Sequence, residues 1–137
     1  MVLGDFNDGP GLDEHERLFG RSGVEIVLGE PGEVPLFDPH ARVPEGPGAV
    51  PVTSRFVLPG GRPLAAMLDY IMVSPALRAA DPRWQIWDPE RHPAALADPQ
   101  LAAALRDASD HYPVTLDLDV GALPPVAAAA PRARSGA

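Results

Sequence analysis

Residues 52–73 read VTSRFVLPGGRPLAAMLDYIMV. Two runs rich in β-branched, aromatic and long apolar residues, 52–58 and 67–73, flank Pro59-Gly60-Gly61-Arg62-Pro63. Pro presets the φ of a turn and Gly supplies positive φ, so the spacing predicts a β-hairpin of 52–58 with 67–73. Alternation along the second run sets Leu68, Tyr70 and Met72 on one face and Met67, Asp69, Ile71 and Val73 on the other. Asp69 therefore stands among apolar neighbours, and a carboxylate so placed needs a partner.

Upstream, Val2-Leu3 has the character of a buried strand that stops at the punctuation of LGDFNDGP, residues 3–10. If the strand persists, Asp5 and Asn7, two apart, share a face. Residues 12–19, with Leu12, Leu18 and Phe19 apolar, Asp13-Glu14 acidic and Gly20 closing, suit a short helix in which Asp13 and Arg17 are spaced to pair. Residues 24–28 are too few to decide between strand and helix. The Pro- and Gly-rich stretch 29–51 is expected to be a long loop, with His40 solvated. Downstream, 84–87 (WQIW) suits a short strand with packed Trp residues. Asp98-Pro99 opens a helix as N-cap and first helical residue, ended by Ser109. The alternation over 114–120 predicts a strand with one wet face. Residues 1–120 thus form one domain, and the Pro/Ala-rich 121–137 is expected to be a disordered tail.

Composition narrows the classes. A chain of 137 residues with 45% hydrophobic residues supports one globular domain, and its 18 Pro and 13 Gly demand short elements. All 11 basic residues are Arg, and the net charge is −8. An acidic surface opposes nonspecific binding to nucleic acid or anionic membrane, yet is compatible with a carboxylate site that recruits a divalent cation to meet a phosphate. The absence of Cys excludes disulfides, zinc–thiolate centres and a thiol nucleophile. Nothing resembles a signal peptide or a membrane-spanning run, so a cytoplasmic protein without a membrane segment is expected.

Three polar clusters interrupt or end the apolar strands: Asp5/Asn7/Asp8, Asp69, and Asp110-His111. Taken singly, each suits a turn or a strand ion pair. Together they carry the groups phosphoryl chemistry uses. Carboxylates hold Mg²⁺ through one or two oxygens while substrate phosphate completes the octahedron. An imidazole oriented by a carboxylate donates to a phosphate oxygen. A calcium loop beginning at Asp5 is excluded, because Pro10 falls where such a loop requires Gly.

In the order Gly4-Asp5-Phe6-Asn7, Leu68-Asp69-Tyr70-Ile71 and Ser109-Asp110-His111-Tyr112-Pro113-Val114, the chain resembles the endonuclease/exonuclease/phosphatase family, the superfamily of pancreatic-type deoxyribonuclease and apurinic-site endonuclease. The resemblance runs from Val2 to about Val120. It implies an α+β fold, half of a four-layer αββα sandwich with mainly antiparallel mixed sheets and the site at one edge. It implies a Mg²⁺ (or Mn²⁺)-dependent hydrolase of phosphate esters, with nucleic acid among the candidate substrates. Asp5 and Asn7 would orient or deprotonate the attacking water and contact the phosphate, and Asp110 together with Asp5 would bind the metal. His111 would stabilise developing charge, its tautomer fixed by Asp69. Ser109, Tyr70 and Tyr112 would support the site.

Members of that family carry an amino-terminal half that contributes an Asn, a metal-binding Glu and a further His or Tyr, and in them the GDFN strand lies mid-sequence. Here it begins beside Met1. The resemblance therefore implies a carboxyl-terminal fragment, inactive alone, whose partner is the missing amino-terminal half. The alternative expectation is a non-catalytic remnant or half-domain that needs another chain to fold.

Overall fold

The computed structural model describes residues 1–29, 35–43 and 50–123. Frequent Pro and Gly keep every element short. In order these are β1 (Val2–Asp5), α1 (Gly23–Leu28), β2 (Ser54–Val57), β3 (Pro63–Ala66), β4 (Asp69–Met72), α2 (Pro75–Arg78), β5 (Arg83–Ile86), α3 (Pro93–Ala97), α4 (Pro99–Ala108) and β6 (Val114–Asp117), with single 3₁₀ turns at Glu16–Leu18 and Val120–Ala122. Strands pair as β1–β4, β2–β3 and β5–β6. The class is α+β, and each of these pairings is antiparallel.

The hairpin exists, but with a different second strand. Gly61 N–H donates to Leu58 O at 3.0 Å across Pro59-Gly60, and Gly60 has φ 93°, the arrangement of a type II turn. So tight a turn brings the chain back at once. Val57 therefore faces Pro63 and Ser54 faces Ala66, which leaves 67–73 outside the hairpin. β4 pairs instead with β1, Val2 opposite Met72 and Asp5 opposite Asp69. Pro63-Leu64-Ala65-Ala66 has weak β propensity, and its strand is imposed by the turn rather than by its side chains.

The faces of β4 follow the period of two. Tyr70 and Met72 are buried, while Asp69 and Ile71 are half-buried on the other side. Asp69 thus does not sit in an apolar interior. Its side chain is 21% exposed. Tyr70 and Met72 join Val24 and Leu28 of α1, Ala41 and Met67 in the core, with Phe6, Val27, Leu36 and Ile86 packed against it.

Residues 24–28 are helical because the helix start is fully capped. Gly23 N–H donates to Glu16 Oε1 (2.9 Å), Val24 N–H to Asp8 Oδ2 (2.9 Å) and Glu25 N–H to Ser22 Oγ (3.1 Å), while Ser22 N–H donates back to Glu25 Oε2 (3.2 Å). Asp8, grouped with Asp5 and Asn7 in the sequence, is therefore a helix cap. Burial pushes its carboxyl above the ordinary value, opposed by the Val24 N–H. The helix expected over 12–19 shrinks to one 3₁₀ turn. Asp13 Oδ1 caps it by accepting from His15 and Glu16 N–H, each at 2.8 Å. Leu18 and Phe19 remain 83% and 80% exposed, so no burial stabilises further turns.

Asp98 caps α4 as expected, accepting from Gln100 and Leu101 N–H at 2.9 and 3.2 Å. α2 and α3, each opened by a Pro, were not anticipated. The last strand stops at Asp117 rather than at 120, and Val120–Ala122 forms a turn whose N-cap Asp119 accepts from Gly121 N–H at 3.0 Å. The remainder of the expected tail, from residue 124, lies outside the described residues. The stretch 29–51, described in part, is anchored just beyond β4 by a Phe37–Val73 bridge. Among the described residues no helix is long and apolar enough to cross a membrane.

Candidate functional site

The register of β1 and β4 sets two carboxylates, Asp5 and Asp69, directly opposite one another. Phe6 N–H continues the pairing to Leu68 O at 2.9 Å. Like charges facing across strands are destabilising. Gly4, just before Asp5, has φ 151°, a conformation L side chains rarely adopt. The strand thus reaches Asp5 through a backbone shape that favours glycine.

His111 arrives from another direction. The 110–112 segment lies along β2: Arg55 N–H donates to Asp110 O at 2.9 Å, Tyr112 N–H donates to Thr53 O at 2.6 Å, and Ser54 bridges His111. His111 N–H also donates to Ser109 Oγ at 3.0 Å. The imidazole Nδ1 then lies 2.9 Å from Asp69 Oδ2. With the carboxylate accepting at Nδ1, Nε2 is left for a second partner. The Asp69 hydrogen bond raises the His111 pKa above its ordinary value; partial burial opposes this, and the charges of Asp69, Asp5 and Asp110 add to the rise.

Donor atoms of Asp5, Asp69 and His111 all lie within 4.8 Å of one another, so together they could hold a metal ion. Asp110, expected beside Asp5 on the metal, is outside that cluster. It is exposed, with Ser109 Oγ 3.5 Å from its Oδ1, and acts on His111 through its charge. Asn7 does not share a strand face with Asp5, because β1 ends at Asp5. Asn7 takes φ 51° and its N–H donates to Asp5 Oδ1 at 2.8 Å, closing an Asx turn.

Tyr70 and Tyr112 are structural. The Tyr70 hydroxyl donates to Met67 O (3.0 Å) and Asp8 O (3.2 Å), and burial drives its pKa up. Tyr112 is buried beside Arg55. The cluster borders an open groove of about 320 Å³, walled also by Leu3, Ile71 and Val114. A larger cavity of about 510 Å³ between α1 and residues 41–43 includes none of these groups in its lining.

Two features escaped the sequence reading. His40, expected to be solvated, is half-buried with Nδ1 3.1 Å from Asp38 Oδ1. Thr53, buried within β-rich surroundings, accepts from the N–H groups of Leu68 and Asp69. Short Asp-x-His spacing was the available signal for the first; the second depends on a long-range contact with no local signature. Comparison with family models, with curated proteins and with solved structures finds no match.

Proposed function

We propose that this domain hydrolyses phosphate esters with a divalent cation, in the manner of the family its motifs resemble, and that its three strand pairs belong to one half of an αββα sandwich. The observation that carries the reading is the convergence of Asp5, Asp69 and His111, from residues far apart in sequence, into one cation-sized cluster. The two carboxylates suit Mg²⁺ or Mn²⁺, which take oxygen ligands, and the imidazole beside them is left to meet the phosphate. Asp5, and the Asp69 oxygen not bonded to His111, would hold the ion. When bound, the cation neutralises phosphate charge and acidifies water.

The chain's own groups divide the remaining work. Asp69 accepts from His111 Nδ1–H and so fixes the ring's orientation. Protonated His111 donates from Nε2 to a non-bridging phosphate oxygen as negative charge builds there. Asp5 accepts the proton of the attacking water as the water oxygen bonds phosphorus, and the ester P–O bond breaks on the opposite side, the departing alkoxide taking a proton from solvent. Asn7, held on the Asx turn, hydrogen-bonds the phosphate. Asp110 contributes negative charge toward His111. The groove beside β1 accepts the ester's organic part.

Hydrolysis of a chromogenic phosphodiester by the full chain, with and without Mg²⁺ or Mn²⁺, is the test, and turnover there would overturn the expectation of a fragment inactive alone. Cation-dependent turnover lost in both Asp5→Ala and His111→Ala supports the reading, whereas turnover retained in His111→Ala overturns the assigned roles. A second reading, a non-catalytic half-domain that needs a partner chain to fold, is favoured by the exposure of Met1 (59%) and Leu3 (62%) on and beside β1. Cooperative unfolding of the purified chain as a monomer would count against it.

A further inference from the structure

Asp69 and His111 are 42 residues apart, and they lie on segments that both meet at Thr53. Thr53 is fully buried. Its Oγ1 accepts from Leu68 N–H at 2.9 Å and from Asp69 N–H at 3.1 Å, so both hydroxyl lone pairs are aimed at the start of β4. Its carbonyl accepts from Tyr112 N–H at 2.6 Å, immediately after His111, and its own N–H donates to Ala66 O at 2.9 Å. One residue therefore grips the backbone of the carboxylate through its side chain and the backbone next to the imidazole through its main chain. The Leu68 and Asp69 N–H groups have Thr53 Oγ1 as their acceptor, at the point where the chain passes from the β2–β3 hairpin into the β1–β4 pair.

We propose that Thr53 is a positioning residue for the Asp69–His111 pair: its hydroxyl fixes the Asp69 backbone so that the carboxylate meets His111 Nδ1. The proposal rests on the reading of that pair as the working one, but the contact it concerns can be observed without catalysis. Substituting Val keeps the branched shape and removes the acceptor, while Ser keeps the acceptor and removes the methyl group.

The molecule carries its own control. The Asp38–His40 pair is held by Ile71 N–H and His40 N–H, not by Thr53. In Thr53→Val, the ring ¹⁵N signature of a hydrogen-bonded Nδ1 is expected to disappear from His111 and persist in His40. In Thr53→Ser it persists in both. An unchanged His111 signal in Thr53→Val overturns the proposal, as does loss from both histidines together, which marks a general loosening of the fold.

If Thr53→Val does not fold, amide hydrogen exchange in the wild type and in Thr53→Ser decides: the Leu68 and Asp69 amides are expected to be protected in both, and exchange at the unprotected rate overturns the proposal. Mn²⁺ titration separates this from the functional reading. Loss of an outer-shell contact lowers Mn²⁺ affinity by roughly 10–100-fold, expected in Thr53→Val and restored in Thr53→Ser. A wild-type chain that binds no Mn²⁺ overturns the metal reading, and the ring signature alone then decides whether Thr53 positions the pair.

Discussion

Two carboxylate–imidazole pairs meet β4 two residues apart, and they are built in opposite ways. Asp38 and His40 are near neighbours in sequence. The Asp38 side chain is fully buried and accepts from His40 N–H (2.8 Å), Ile71 N–H (2.9 Å) and His40 Nδ1 (3.1 Å). Its oxygens are spent on pinning a loop to a strand. Asp69 and His111 come together only through tertiary structure, are 21% and 33% exposed, and face the further charge of Asp5. Among the described residues the one hydrogen bond of the Asp69 carboxylate is to His111, which leaves its other oxygen available. The same two residue types thus make a buried anchor in one place and a partly exposed pair with one carboxylate oxygen left over in the other. Local spacing, burial and the number of N–H groups met by the carboxylate separate the two.

The largest effect that could break this contrast is on turnover. His111→Ala is expected to lower phosphodiester hydrolysis by roughly 10²–10⁴-fold, the range for loss of a positioned proton donor, while His40→Ala leaves the rate near wild type. Equal losses in steady-state assays of the two variants would erase the distinction.

Stability should respond in the reverse order. Asp38→Ala leaves the Ile71 N–H without its acceptor and is expected to destabilise the fold by at least about 1–3 kcal/mol in urea denaturation. Asp69→Ala, at a partly exposed pair, is expected to cost less than about 1 kcal/mol. A larger loss from Asp69 than from Asp38 would mean that the exposed pair is the anchor.

How much of this contrast was legible before the fold was known follows from what sequence patterns encode. Asp5, Asp69 and His111 stood out because carboxylates and an imidazole interrupted apolar strands, and the fold brings those three together. Asp110 was placed on the metal by resemblance, and its carboxylate is not among the clustered donor atoms. The alternation in 67–73 located the buried face of β4 at Tyr70 and Met72 but could not name the strand's partner, since a period of two encodes faces and not neighbours. The turn at Leu58–Gly61 gave the hairpin to Pro63–Ala66 and freed Asp69 to oppose Asp5. The 3₁₀ turn at Glu16–Leu18 shows the complementary failure: caps were present, but Leu18 and Phe19 found nothing to pack against.

The pH dependence sharpens the comparison on a smaller scale. The folded chain binds the His111 proton more tightly than the unfolded chain does, so this contribution to stability is complete below about pH 6.5, the ordinary histidine value, and is lost as pH rises through the raised folded pKa. Urea midpoints measured from pH 5.5 to 8.5 should fall across that window, and Asp69→Asn, which removes the first cause of the shift, should flatten the fall. A slope that persists in Asp69→Asn but vanishes in Asp38→Asn would assign the titration to the wrong pair.

The smallest expected effect has the opposite sign from the others. Asp5 faces Asp69 in register, and like charges directly opposed across strands destabilise by about 0.2–1 kcal/mol. Asp5→Asn keeps an oxygen in reach of the Asn7 N–H and so preserves the turn that follows β1. It is expected to raise stability slightly at neutral pH and to lower the His111 pKa, since the Asp5 charge contributes to its rise. The stabilisation should shrink as salt is added, because the pair is solvent-facing and screened. The same substitution removes a carboxylate from the cation cluster, so a more stable protein with weaker Mn²⁺ binding is the combined signature of a charge retained at a cost to the fold. Asp5→Asn that destabilises the chain in urea would show that the facing carboxylates are not in repulsion, and that their register carries no electrostatic cost.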